Sequence, residues 1–145
     1  MPEIPSLSFE AAATDQLLKI SETTYPYEGC GLLLGPFGSD KRVTRVIELK
    51  NVLKEEGGGK YDFRFDPSEF AQAQLSAERL DLDVVGIFHT HPDHPACPSK
   101  TDSSQPMLAG WASIIVSVGE GKVADVKAWW RNRDDEPFKE MLLAR

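Results

Sequence analysis

The run Val84-Val85-Gly86-Ile87-Phe88-His89-Thr90-His91-Pro92 constrains this chain more than any other stretch. It is short, β-branched and closed by a proline, so it predicts a buried strand ending near His91. Side chains alternate across a strand, so His89 and His91 present both imidazoles to one side while Thr90 turns away. Two neutral imidazoles at a strand end make half a metal site. Beyond them, Pro95 and Pro98 join Pro92 in stiffening a loop that cannot stay in the sheet. That loop leads to Ser99 and, three residues later, Asp102. A carboxylate returned to two imidazoles gives an N, N, O donor set, which leaves one position of a tetrahedral zinc ion for water. Ser99-x-x-Asp102 is equally the pattern of a helix start, a hydroxyl at the cap with an acid at the third helical position. Both readings can hold, because a capped helix start is a rigid mount for a ligand.

With 145 residues, 41% of them hydrophobic, the chain has enough apolar material for one globular domain over residues 1–145. Its net charge is -7, and no basic cluster breaks the acidic balance. Nucleic acid or an anionic membrane would be repelled rather than steered in, so neither is an expected partner. Met1 to Pro5 lacks the basic start and apolar run of a signal peptide, and no stretch approaches transmembrane length. Two cysteines, Cys30 and Cys97, make no disulfide framework, so the expected location is a reducing cytoplasm.

Along the chain, Phe9, Ala13, Leu17, Ile20 and Thr24 recur at helical spacing and predict a helix from Ser6 to Thr24, with Glu10 in its first turn. Tyr25-Pro26 ends it. Tyr27 to Gly35 predicts an apolar strand with a glutamate, Glu28, at its mouth. Val43 to Val52 predicts a second strand region with Arg42 and Arg45 facing water, and Gly57-Gly58-Gly59 a flexible loop. Tyr61 to Phe65 alternates like a strand. Asp66-Pro67-Ser68-Glu69 starts a helix with Asp66 as cap and Glu69 closing a capping box; Phe70, Ala73, Ala77 and Leu80 form its buried face. A short helix is expected over Thr101 to Leu108. Ala112 to Val118 and Val123 to Trp130 form a hairpin about Gly119-Glu120-Gly121, with one of Trp129 and Trp130 inward and the other outward. Phe138 to Leu143 is a last strand. The order describes a mixed α/β domain with a mainly antiparallel sheet flanked by helices.

Glu28, His89-Thr90-His91-Pro92, seven residues, then Ser99-x-x-Asp102 together resemble the JAMM (MPN-plus) metalloproteases, in their small prokaryotic form. Pro26 to Gly35 and Val85 to Phe88 are similar to the blocks flanking that family's glutamate and histidines, and the resemblance runs from the first helix to the final strands. It implies a single JAMM/MPN-like, cytidine-deaminase-like fold. It implies one Zn2+ held by His89, His91 and Asp102 with a bound water, Glu28 as general base, and Ser99 as hydrogen-bond donor to the oxyanion. The reaction implied is peptide or isopeptide hydrolysis after the C-terminal tail of a ubiquitin-like or sulfur-carrier protein. Ser103 to Gly110 runs almost directly into the next strand, unlike the extended insertion of the eukaryotic polyubiquitin enzymes.

The alternative is a non-catalytic MPN-type scaffold that binds partners, but such modules typically lack one or more metal positions, and here all are present. A cupin site needs a glutamate a few residues past the histidine pair, where this chain has Pro95. Amidohydrolase barrels use His-x-His but need about 250 residues. His94 reads as an exposed loop histidine, Cys97 as a small loop residue, and Cys30 as a buried apolar one.

Overall fold

The computed structural model describes residues 6–38, 41–104 and 110–144. In chain order the elements are β1 (Ser6–Phe9), α1 (Ala11–Thr24), β2 (Cys30–Gly35), β3 (Arg42–Val43), β4 (Arg45–Leu49), α2 (Val52–Glu55), α3 (Pro67–Arg79), β5 (Asp83–Pro92), α4 (Lys100–Ser103), β6 (Ala112–Gly119), β7 (Lys122–Trp130) and β8 (Lys139–Ala144). The strands form one sheet in the order β3-β1-β8-β7-β6-β5-β2-β4. Pairing is antiparallel along β4, β2 and β5 and along β6, β7 and β8; it is parallel between β5 and β6 and where β1 joins β3 and β8. The mixed, mostly antiparallel sheet flanked by helices is the one expected. Among the described residues, no helix is long and apolar enough to cross a membrane.

The sheet has a core on each face. Leu33, Phe88, Ile114 and Val116 pack with Ala13 and Leu17 of α1 on one side. Leu32, Leu34 and Ile87 pack with Phe63, Phe65 and Ala73 and Ala77 of α3 on the other. Alternation along β5 explains the division: Phe88 turns to the first core, Ile87 to the second, and each buried side chain contributes roughly 1.5–3 kcal/mol. Close strand approach also requires small residues. A methyl on Gly31 would lie 2.0 Å from the Ile47 carbonyl oxygen, and one on Gly86 would lie 2.3 Å from that of Ala112.

Several expected elements differ. Ser6–Phe9 is a strand, not the first turn of a helix. Leu7 and Phe9 are buried on alternate positions, so period two prevails there, and β8 and β3 supply parallel partners. Glu10 consequently stands at the helix cap, without a side-chain cap bond. β2 begins only at Cys30, and Val52 starts the short helix α2, capped by the Asn51 side chain. Tyr61 to Phe65 joins no sheet; its alternation buries Phe63 and Phe65 under the second core as extended chain. Asp66 caps α3 as expected, but Glu69 closes no box, because its Oε1 accepts from Lys50 N. Ala73 and Ala77 are buried as expected, whereas Leu80 is exposed. α4 ends at Ser103, and residues 105–108 of the expected helix lie outside the described residues. Both tryptophans at the end of β7 are half-buried.

Candidate metal centre

β5 runs through the middle of the sheet, and its C-terminal end delivers the two imidazoles. His89 is fully enclosed and His91 nearly so, and their Nε2 atoms lie 3.1 Å apart. His89 Nε2 is 3.1 Å from Asp102 Oδ1, and His91 Nε2 is 3.1 Å from Asp102 Oδ2. The Phe63 ring stacks on His89 at 4.7 Å and closes that side from water. His91 Nδ1 lies 2.8 Å from the Pro95 carbonyl. A carbonyl only accepts, so Nδ1 carries the proton and neutral His91 turns a bare Nε2 lone pair toward Asp102 and His89.

Asp102 arrives on a mount that the chain secures at each step. Asp93 N donates to Val118 O, the Ser117 hydroxyl donates to His94 O, and Trp129 Nε1 donates to Ala96 O, so three points of the proline loop are tied to β6 and β7. Ser99 and Asp102 then form the full capping box: Asp102 N donates to Ser99 Oγ, and Ser99 N donates to Asp102 Oδ2. Arg131, buried at the end of β7, donates to Ser103 O and holds the far end of α4. The cap and ligand readings of Ser99-x-x-Asp102 coexist.

Glu28 comes from the other side, ahead of β2. Its carboxyl and the two imidazoles place a ligand atom each within 4.8 Å of one another. Its Oε1 is buried without a hydrogen-bond partner. Burial, and after it the charges of Asp102 and Asp62, push its pKa up from 4.5 to about 9. Asp102 goes the other way. Burial opposes its charge, but in metal-free protein an imidazole that takes up a second proton donates from Nε2 to the carboxylate, and these hydrogen bonds with His89 and His91 outweigh burial and hold the Asp102 pKa well below the carboxylate range; a bound cation would take the place of those protons. Burial lowers the pKa of His89; burial works on His91 too, yet Asp102 and the Pro95 carbonyl raise it on balance.

Two residues that the sequence did not single out position this centre. Thr90, turned to the opposite face from the histidines, accepts from Gly29 N at 2.8 Å through Oγ1, while its own N–H donates to Gly29 O at 2.9 Å. The reciprocal pair ties the Glu28 segment to the histidine strand. Asn51 donates to Glu28 O and Asp62 O and accepts from Leu53 N and Arg64 N. Thr90 sits between the two motif histidines and Asn51 stands in no motif; the signal that each carries is buried polarity next to a candidate residue. The glycine loop is likewise tied down, since Glu28 N donates to Gly59 O at 2.6 Å.

Outside the centre opens a cleft of about 330 Å³ lined by Glu28, Tyr61, His91, His94, Cys97 and Ser99. Tyr61 and His94 meet across it, ring centroids 5.3 Å apart. Both are exposed, as is Cys97, whereas Cys30 is buried as expected.

The donor atoms suit a divalent cation. Two imidazole nitrogens and a bidentate-capable carboxylate converge at 3.1 Å in a buried site. Ligand atoms on one tetrahedral zinc lie about 3.3 Å apart for bonds of about 2.0 Å. Lone pairs brought this close repel unless a cation sits among them. Glu28 Oε1 and His89 Nδ1 are the polar atoms of the centre left without partners among the described residues.

A model of the prokaryotic homologues of the JAB domain matches residues 10–132. A desampylase of Pyrococcus furiosus is 36% identical over 102 residues, covering 70% of this chain and 65% of that protein. A CysO-cysteine peptidase of Mycobacterium tuberculosis is 31% identical over 96 residues, covering 66% of this chain and 62% of that protein. The chain thus spans somewhat less than two thirds of the length of both. Among solved structures, a Desulfitobacterium hafniense protein superposes with a TM-score of 0.80 at 25% identity, covering 94% of this chain and 90% of that one. A JAB1/MPN domain protein from Archaeoglobus fulgidus shares the fold, with a TM-score of 0.56 at 17% identity over 96% of this chain and all of that one.

Proposed function

This chain belongs to the prokaryotic JAB-domain family, and we propose that it is a zinc isopeptidase that hydrolyses the amide bond after the C-terminal tail of a ubiquitin-like, sulfur-carrier protein. The observation that carries this is the convergence of His89 Nε2, His91 Nε2 and both Asp102 oxygens at 3.1 Å beneath a cleft that also holds Glu28 and Ser99. His89, His91 and Asp102 are the ligands of one zinc ion. The ion, when bound, polarises the scissile carbonyl and lowers the pKa of a water beside it.

The other residues divide the proton work. Glu28 takes a proton from the attacking water and passes it to the departing amine. Its raised pKa belongs to the protein without a cation; a divalent charge nearby favours the carboxylate. Ser99 Oγ accepts from Asp102 N with one lone pair, which leaves its O–H to donate toward the cleft, where it stabilises charge developing on the carbonyl oxygen. The relatives named for desampylation and for a CysO–cysteine bond support a ubiquitin-like conjugate as substrate. An extended tail suits the cleft, with backbone hydrogen bonds supplying affinity.

Elemental analysis of protein purified without added metal tests the assignment. We expect one zinc per chain, lost in Asp102→Ala and kept in Glu28→Ala, with hydrolysis of a ubiquitin-like fusion abolished in the first and cut at least about 100-fold, to a measurable residual rate, in the second. Zinc retained by Asp102→Ala would overturn the ligand set.

A further inference from the structure

Glu28 Oε1 has no hydrogen-bond partner among the described residues, so the hold on its backbone bears directly on where the carboxyl stands. That backbone is gripped on both sides of the residue. Glu28 N donates to Gly59 O, and Glu28 O accepts from Asn51 Nδ2 at 3.1 Å. Asn51 is 7% exposed and its amide is fully engaged. Nδ2 also reaches Asp62 O at 3.0 Å and Gly59 O at 3.5 Å, while Oδ1 accepts from Leu53 N at 3.1 Å and Arg64 N at 3.2 Å. Gly59 sits at φ +95°, with the place of a methyl 3.2 Å from Asn51 Nδ2 and 3.0 Å from Lys54 N, so the loop closes directly onto this amide.

We propose that Asn51 is the positioning residue of the reaction: it binds the Glu28 carbonyl and the glycine loop into one rigid frame that aims the Glu28 carboxyl at the metal centre. The proposal rests on the reading of Glu28 as the base. Asn51 does not line the cleft over the metal centre and acts through Glu28 alone. Thr90 secures the next residue, Gly29, to β5, so Glu28 is suspended between the histidine strand and the Asn51 frame. A misplacement of about 1 Å in a reacting group costs on the order of 100-fold in rate, which is the scale that such a frame protects.

Two measurements on the zinc-loaded chain test it, with Asn51→Ala and Asn51→Asp, the latter keeping the acceptor toward Leu53 and Arg64 while losing the donor toward Glu28. The first is amide hydrogen exchange by NMR. The Glu28 amide should exchange at least about 10-fold faster in both variants, while the Gly29 and Thr90 amides, which belong to the other tether, keep their rates. The second is kinetics on a fluorogenic C-terminal amide of a ubiquitin-like protein. We expect kcat to fall at least about 10-fold with KM within about two-fold and zinc still at one per chain. In a Glu28→Ala background, Asn51→Ala should cost less than about two-fold more, because it acts through a group already gone. An unchanged Glu28 amide, equal acceleration at Gly29 and Thr90, or an undiminished cost without Glu28 would each overturn the proposal. If the parent chain cleaves no such probe, the isopeptidase reading fails, and the exchange measurement still decides whether Asn51 positions Glu28.

Discussion

At Glu28 the fold buries a carboxyl, and the consequence is measurable in metal-free protein. The folded pKa of about 9 stands above the ordinary 4.5. Between those values the folded chain keeps a proton that the unfolded chain has released, so stability falls as pH rises through that window. At about 1.4 kcal/mol per unit, the loss by pH 8 amounts to a few kcal/mol. Glu28→Gln removes the titration. It should raise the Tm of chelator-treated protein at pH 8 and leave it nearly unchanged at pH 4; equal shifts at both pH values would show that burial of this carboxyl is not the cause. Thr90 makes a second residue-level case. Thr90→Val keeps the shape but strands the Gly29 N–H, at a cost of about 1–3 kcal/mol, whereas Thr90→Ser keeps the bond. Thermal unfolding should show a drop of several degrees for valine and much less for serine. The sequence pointed to Glu28, His89, His91, Ser99 and Asp102 because these are residue types that bind cations or move protons, and the structure brings them together around one cleft. Thr90 and Asn51 were not legible there, since each matters through backbone groups brought from elsewhere by the sheet.

The proline loop between β5 and α4 is where element-level design meets the metal. Its prolines announced stiffness, but stiffness alone does not set a direction. The direction comes from β6 and β7, through Val118 O, the Ser117 hydroxyl and Trp129 Nε1. No local pattern encodes those bonds, so the loop's mount was invisible while its ends were plain. The same limit explains the elements that came out otherwise: Ser6–Phe9 became a strand because β3 and β8 stand beside it, and Tyr61 to Phe65 stayed out of the sheet because none of the described strands pairs with it. Trp129→Phe tests the mount. It removes the bond to Ala96 O next to Pro95, whose carbonyl fixes the His91 tautomer. Zinc stoichiometry should stay at one while affinity, read by competition with a chromophoric chelator, falls on the order of 10-fold. Unaltered affinity would mean that the prolines and the capping box hold the loop unaided.

Across the whole molecule, the centre draws on three separate parts of the chain: the approach to β2, the end of β5, and the start of α4. The sheet order makes this possible. β5 lies between β2 and β6, so Glu28 approaches from one neighbouring strand while the loop is anchored on the other. A cation bound there joins segments that are distant in sequence, and it binds only when all of them are in place, so metal binding and folding are coupled. Removing it leaves an ionised Asp102 between two imidazoles and an unpaired buried Glu28. Chelation should therefore lower the Tm reversibly. Zinc at about 100 times its Kd returns about 2.7 kcal/mol, which for a chain of this size is on the order of 10 °C. Asp102→Ala should lie at the lower Tm with or without zinc, since it lacks both the ligand and the response. Were wild-type and Asp102→Ala protein to respond to zinc alike, the stabilising ion would be binding somewhere other than between these three segments.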